Sequence, residues 1–301
     1  KELVGCRTFL MAHQISTIVR AFESRPIRYM LADEVGLGKT IEACSIVKIL
    51  NSEKKNLRVL YIVPASLAQQ WENELKYKFE INAVQNIALA AYSNHVILAL
   101  ENLDEYCEAI GLNWDVLVVD ETHRLLNQND KYNLILQLSK RTENVLFLSA
   151  TPIQNRKEEY LNLLSLLQPE QYCRMQLSDF SSILSKQKKI QRRVNGMLSH
   201  MNQYEEYKDD SLDKLNDLAD DLGDYNLFHI ISAIDLTSDD NGKSAMEQAL
   251  SYISENYRIE RNIVRNRREY VTETLGKRNL IELSYSMKNS DDNYSERNVY
   301  Y

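Results

Sequence analysis

Short apolar runs alternate with helix-spaced apolar positions through the first half of the chain. Residues 28–31 are a strand-length run, 41–50 carry helical spacing, 57–63 are a second run and 67–79 a second helical pattern. Further strand-length runs stand at 96–100, 115–119 and 145–148. Val116, Leu117, Val118 and Val119 are apolar without a break, which is the signature of a strand covered on both faces. This rhythm predicts an α/β fold, a parallel sheet wrapped in helices.

Between residues 171 and 257 the pattern changes. Leu212, Leu215, Leu218 and Leu222 recur at helical spacing among long polar stretches, predicting a helical insertion. It holds a basic run (Lys186, Lys188, Lys189, Arg192, Arg193) and then an acidic one at 205–224. Such runs are ordinarily solvated faces, and a nucleic-acid or protein contact is the alternative for the basic one. Beyond it, Arg261, Arg265, Arg267 and Arg268 lead into residues 279–285, expected to form a strand that rejoins the sheet. The expected division is a first α/β lobe at 1–170, the insertion at 171–257, and a return strand with the start of a linker at 258–301.

Composition narrows the picture. A chain of 301 residues with 44% hydrophobic content is long enough for one large core with an accessory piece. The formal net charge of -7 is not that of a nucleic-acid binder overall, yet much of the negative excess lies in the acidic run, so a basic groove elsewhere stays open. No stretch matches a bilayer span or a cleavable leader, which points to the cytosol and away from a membrane partner. Cys6, Cys44, Cys107 and Cys173 lack paired spacing, arguing against a zinc site or a disulfide framework. The opening at Lys1 and the polar, aromatic end at Tyr301 read as part of something longer.

The candidate chemistry starts after the first strand. Asp33, Glu34, Val35, Gly36, Leu37, Gly38, Lys39 and Thr40 lie between a strand and a helix, the context of a phosphate-binding loop. Gly36 and Gly38 let backbone N–H groups turn toward phosphates, Lys39 adds a point charge, and Thr40 offers a hydroxyl to Mg²⁺. Asp33 stands where the general pattern has a glycine. A P-loop needs a metal-holding acid on a neighbouring strand, and residues 116–119 run into Asp120 and Glu121. Asp120 is expected to orient the Mg²⁺ and Glu121 to polarise the attacking water. His123 lacks a second ligand at metal spacing and is assigned to coupling, with Ser149, Ala150 and Thr151 expected beside it. Gln14 precedes the loop by a helix-sized interval, and its amide suits an adenine edge.

The ordered blocks ADEVGLGKT (32–40), VPASLAQQW (63–71), VVDETHR (118–124) and LSATPIQN (148–155) resemble superfamily 2 helicase-like ATPases, specifically the Swi/Snf family of duplex-DNA translocases. The wording LADEVGLGKTIEA and RNRRE is most similar to its bacterial RNA polymerase-recycling branch. The resemblance implies a RecA-like first lobe, ATP and Mg²⁺ as cofactors, and duplex DNA as partner, with the cargo unspecified. It implies that Gln14 reads adenine, that Pro64, Ala65, Ser66, Gln70 and the region around 100–103 touch the DNA backbone, and that Ser149, Ala150 and Thr151 link ATP state to DNA grip. Two departures stand out: Thr122 replaces a small residue, and no candidate for the second lobe is found. That lobe's arginine finger is worth roughly 10³ to 10⁵ in rate, so the lobe alone is expected to bind ATP and hydrolyse it poorly. A strand-separating helicase, the motor of a restriction or phage-defence complex, and an ATP-binding switch or scaffold without DNA-stimulated turnover are the alternatives.

Overall fold

The computed structural model describes residues 6–89, 92–105, 111–149, 156–234, 239–266 and 271. The chain divides into two compact units at 266/267, and every element below belongs to the first. Among the described residues, six strands form one parallel sheet in the order β3-β2-β4-β5-β1-β6. They are β1 (Arg28–Leu31), β2 (Val59–Val63), β3 (His95–Ala99), β4 (Val116–Val119), β5 (Asn144–Leu148) and β6 (Ile263–Val264). Among the described residues, the last strand to join the sheet is β6, pairing with β1. The strand expected at 279–285 lies outside the described residues.

Alternate strand positions supply two separate cores, as the pleat requires. Leu60, Ile62, Leu117, Val119, Val145 and Phe147 face one side, under α4 (Asn129–Arg141) and α5 (Lys157–Leu167). Tyr61, Val63, Val116, Val118, Leu146 and Leu148 face the other, under α1 (Ala12–Glu23), α2 (Lys39–Glu53) and α3 (Ala65–Phe79). Burial on both faces is why β4 is apolar at every position.

After the short α6 (Pro169–Tyr172), α7 (Leu177–His200) runs 24 residues, about 36 Å at the helical rise. Phe180 near its start belongs to the α4/α5 core. Val194 and Met197 near its end join a third core with Leu215 and Leu218 of α8 (Tyr204–Leu222), Leu227 of α9 (Tyr225–Ser232) and Leu250 of α10 (Asp239–Asn256). No described helix is long and apolar enough to cross a membrane.

At the N-terminal edge of the sheet, the Arg28 guanidinium donates to the carbonyls of Leu167 (2.7 Å), Thr142 (2.8 Å) and Ser139 (3.2 Å), bolting β1 to α4 and α5. Burial lowers its pKa to about 10, so it is charged at neutral pH. Arg28→Met leaves these acceptors without their donor and is expected to cost about 2 kcal/mol or more in denaturant unfolding. A loss below about 0.5 kcal/mol, the scale of an ordinary surface change, would show the bolt to be dispensable.

Candidate nucleotide-binding site

The loop between β1 and α2 is held open by two glycines in the left-handed region, Gly36 (φ 85°) and Gly38 (φ 91°). Gly38 is the N-cap of α2, so the first-turn amides and the positive end of a 15-residue helix face the same point. The Leu37 N–H donates back to the Glu34 carbonyl at 3.2 Å, completing the curl. A Cβ on Gly38 would meet Gln14 Nε2 at 2.3 Å, so a side chain there would push the Gln14 amide off the loop as well as strain the backbone. The Lys39 ammonium lies along the loop, donating to the Asp33 carbonyl at 2.8 Å.

Two helix residues brace this loop from α1. Gln14 is buried, donating through Nε2 to the Leu37 carbonyl (2.9 Å) and accepting through Oε1 from the Met11 N–H (3.0 Å). His13 Nε2 lies 3.0 Å from the same Leu37 oxygen. Gln14 thus stands against the P-loop, and reading an adenine edge requires its amide to exchange these partners. Asp33 is fully buried with its carboxylate turned into the protein, where Oδ1 accepts from the Asn266 N–H (2.6 Å) and Oδ2 from Asn266 Nδ2 (3.0 Å). Its contact with the loop interior is made by its carbonyl.

Three strand ends meet at this edge because β5 lies between β1 and β4. Asp120 follows β4, with Oδ2 accepting from the Trp71 indole (2.9 Å) and Oδ1 from the Glu121 N–H (2.8 Å). Burial raises its pKa, opposed by those two donors and by the Lys39 charge. A buried carboxylate beside the ammonium and the first turn of α2 suits a divalent cation, whose charge would offset that desolvation. Glu121 has a left-handed backbone (φ 49°), a strain that non-glycine residues carry mainly at sites where the surroundings enforce it. Its carboxylate reaches His123 Nδ1 at 3.2 Å, and Ser149 Oγ, at the end of β5, stands 3.3 Å from the same nitrogen. Thr122 is fully buried and its hydroxyl donates to the Val119 carbonyl at 3.1 Å, which explains how a larger residue fits there. Ala150 and Thr151 lie outside the described residues.

At the start of α3, Pro64 is buried while Ala65, Ser66 and Gln70 are not. The Ala65 N–H is taken by Glu101 Oε2 at 2.8 Å, and Gln70 Nε2 donates to Glu74 at 3.0 Å. Trp71 and Asn266 are contacts of this edge that sequence reasoning missed, whereas Glu101 lies within the region 100–103 expected at the DNA backbone. Trp71 ends the block at 63–71, but nothing in its spacing names an Asp120 partner.

A parallel sheet with a glycine loop after β1, an acidic pair after β4 and a polar strand end between them defines a RecA-like P-loop lobe. Residues 17–220 match the SNF2-related domain, more than half of the chain, and the protein belongs to that family. It is 29% identical over 291 residues to the RNA polymerase-associated protein RapA of Pectobacterium carotovorum subsp. carotovorum, covering 89% of this chain and 29% of that protein. The chain thus spans under a third of that relative's length. The fold is similar to the Sulfolobus solfataricus SWI2/SNF2 ATPase core in complex with dsDNA (TM-score 0.55, 16% identity, 87% of this chain and 45% of that one). The core domain from the same organism gives a TM-score of 0.54 at 18% identity, over 88% and 45% of the two chains.

Glu42, one turn into α2, is completely buried, and burial together with the nearby Asp33 carboxylate pushes its pKa up to about 9. An unfolded glutamate ionises near pH 4.5, so between that value and about 9 the folded state holds a proton that the unfolded state has lost. Stability therefore falls as pH rises through this window, by up to about 1.4 kcal/mol per pH unit. Glu42→Gln has no such ionisation, and its stability relative to wild type is expected to climb from pH 5 to pH 9. Parallel stability profiles for the two proteins would contradict the assignment.

Proposed function

We propose that this chain is the first motor lobe of an ATP- and Mg²⁺-dependent translocase on duplex DNA, which uses hydrolysis to remodel protein–nucleic acid complexes. The observation that carries the reading is the convergence at one sheet edge of the glycine loop with Lys39, the Asp120–Glu121 pair, and the Glu121–His123–Ser149 contacts. The names of the matched proteins, one in complex with dsDNA and one associated with RNA polymerase, support the choice of partner. The assigned division is a lobe at 1–170, a helical protrusion at 171–257, and a return strand and linker at 258–301. A cytoplasmic location accords with this role.

In the proposed mechanism the residues 33–40 loop cradles the phosphates and Lys39 places its charge against the β and γ groups. Thr40 and Asp120 would hold Mg²⁺, which would supply charge neutralisation when bound. Glu121 orients and accepts a proton from the attacking water, and its bond to His123 fixes the carboxylate in place. Ser149 Oγ beside the same His123 nitrogen connects β5 to that carboxylate, so the chain leaving β5 through Ala150 and Thr151 is the proposed coupling route. Gln14 is assigned to the adenine side. An arginine from a second lobe completes the site by stabilising the charge of the transferring phosphoryl group.

Pro64, Ala65, Ser66 and Gln70 are the proposed DNA-backbone contacts. Such contacts position a motor without reading sequence.

The direct test is ATP hydrolysis by the full-length protein with and without duplex and single-stranded DNA, with Lys39→Ala as control. Duplex-stimulated turnover abolished by that change is expected; turnover indifferent to nucleic acid would contradict the translocase reading and favour a switch. Strand separation beyond the control would move it to a helicase. The Glu101 carboxylate at the α3 N-terminus repels a phosphate there, so Glu101→Gln is expected to tighten duplex binding about 3-fold or more at low salt. Unchanged or weaker binding would remove residues 64–66 from the DNA surface.

A further inference from the structure

Asp33 breaks the general glycine pattern of the loop, and its side chain has a partner of its own. Both of its oxygens take donors from a single residue, Asn266: the backbone N–H at 2.6 Å and Nδ2 at 3.0 Å. Backbone bonds flank this pair, from the Ala32 N–H to the Val264 carbonyl (2.8 Å) and from the Glu34 N–H to the Asn266 carbonyl (3.2 Å). The β1–β6 ladder, with Met30 opposite Ile263 and Leu31 opposite Val264, is thus carried past the strand ends into the loop. Asn266 Nδ2 also lies 3.3 Å from Thr17 Oγ1 on α1, the helix whose Gln14 holds the other end of the loop.

The Lys39 ammonium rests on the carbonyls of Asp33 (2.8 Å) and Glu34 (3.5 Å), the two residues that Asn266 grips. Fixing residues 33 and 34 therefore fixes where the lysine charge sits. We infer that Asn266 is a positioning residue for phosphate binding, acting through the Asp33 carboxylate to hold the opening of the P-loop and the rest position of Lys39. The inference rests on reading the loop as an ATP site. The bonds to Asp33 are charge-assisted and their acceptor is buried, so their loss is felt at the loop and not screened away. Asn266 is also the last residue of the first compact unit, so the nucleotide cradle is fastened at the point where the chain leaves it.

The experiment is ATP binding by the full-length protein, at a temperature well below its unfolding midpoint, for wild type, Asn266→Ala, Asn266→Asp and the exchange Asp33→Asn with Asn266→Asp. Asn266→Asp sets two carboxylates against each other and is expected to weaken ATP binding about 10-fold or more. The exchange restores one amide facing one carboxylate and is expected to recover affinity to within about 3-fold of wild type. Asn266→Ala, which keeps the backbone donor, provides the comparison if Asn266→Asp does not fold. A purely structural residue would lower the unfolding midpoint and leave the affinity of the folded fraction unchanged; that result, or failure of the exchange to recover binding, overturns the inference. Wild-type protein that binds no ATP overturns the ATP-site reading and this inference with it. Wild-type binding matched by the single variants overturns this inference alone.

Discussion

Everything at the site depends on one constraint: a sheet buried on both faces whose strands all run the same way. Parallel strands need helical crossovers, and the crossovers bury both faces. The C-terminal ends of the strands then open together at a single edge, where ligands of such sheets bind. The strand order sets which ends are neighbours. With β5 between β1 and β4, the glycine loop, Ser149 and the Asp120–Glu121 pair come side by side, although more than a hundred residues of chain separate the first from Ser149.

Among the described residues, three buried carboxyl groups gather at this edge, and each is accommodated differently. Asp33 is surrounded by donors from Asn266, Glu42 retains its proton, and Asp120 takes the Trp71 indole and the Glu121 amide while Lys39 offsets part of its burial. An ionised carboxylate in a dry interior is costly unless it is paired or protonated. Asp33 and Glu42 are settled within the protein, one by donors and one by a proton. Glu42 and Asp120 both have raised pKa values opposed by the Lys39 charge, and position separates them: Glu42 is fully buried one turn into α2, whereas Asp120 follows β4 beside Glu121, which suits it to a metal-dependent step.

The α/β class and the position of each strand between 28 and 148 were legible in the sequence, because an unbroken apolar run of strand length between helical patterns needs cover on both faces. The loop at 33–40 and the acidic pair were legible because glycines, lysine and paired acids between a strand and a helix have a mechanism behind them. The placement of Ser149 beside His123 also followed from order along the chain. Local pattern did not reach the long-range bonds. Asn266 sits among arginines whose charge dominates that stretch, and its partner Asp33 is 233 residues away. The two-residue β6 is too short to show a period, so local pattern did not reveal it. Spacing and resemblance assign Gln14 and Asp33 to the nucleotide, but they do not show the bonds their side chains make to the loop backbone and to Asn266.

Whether Mg²⁺ and ATP occupy the edge formed by β1, β5 and β4 can be read from an experimental structure of the full-length protein with Mg²⁺ and a non-hydrolysable ATP analogue. The expected result is phosphates enclosed by residues 33–40 beside Lys39, with the metal between Thr40 and Asp120. Nucleotide bound elsewhere, or phosphates at the loop with the metal held away from Asp120, would refute the assignment of this edge.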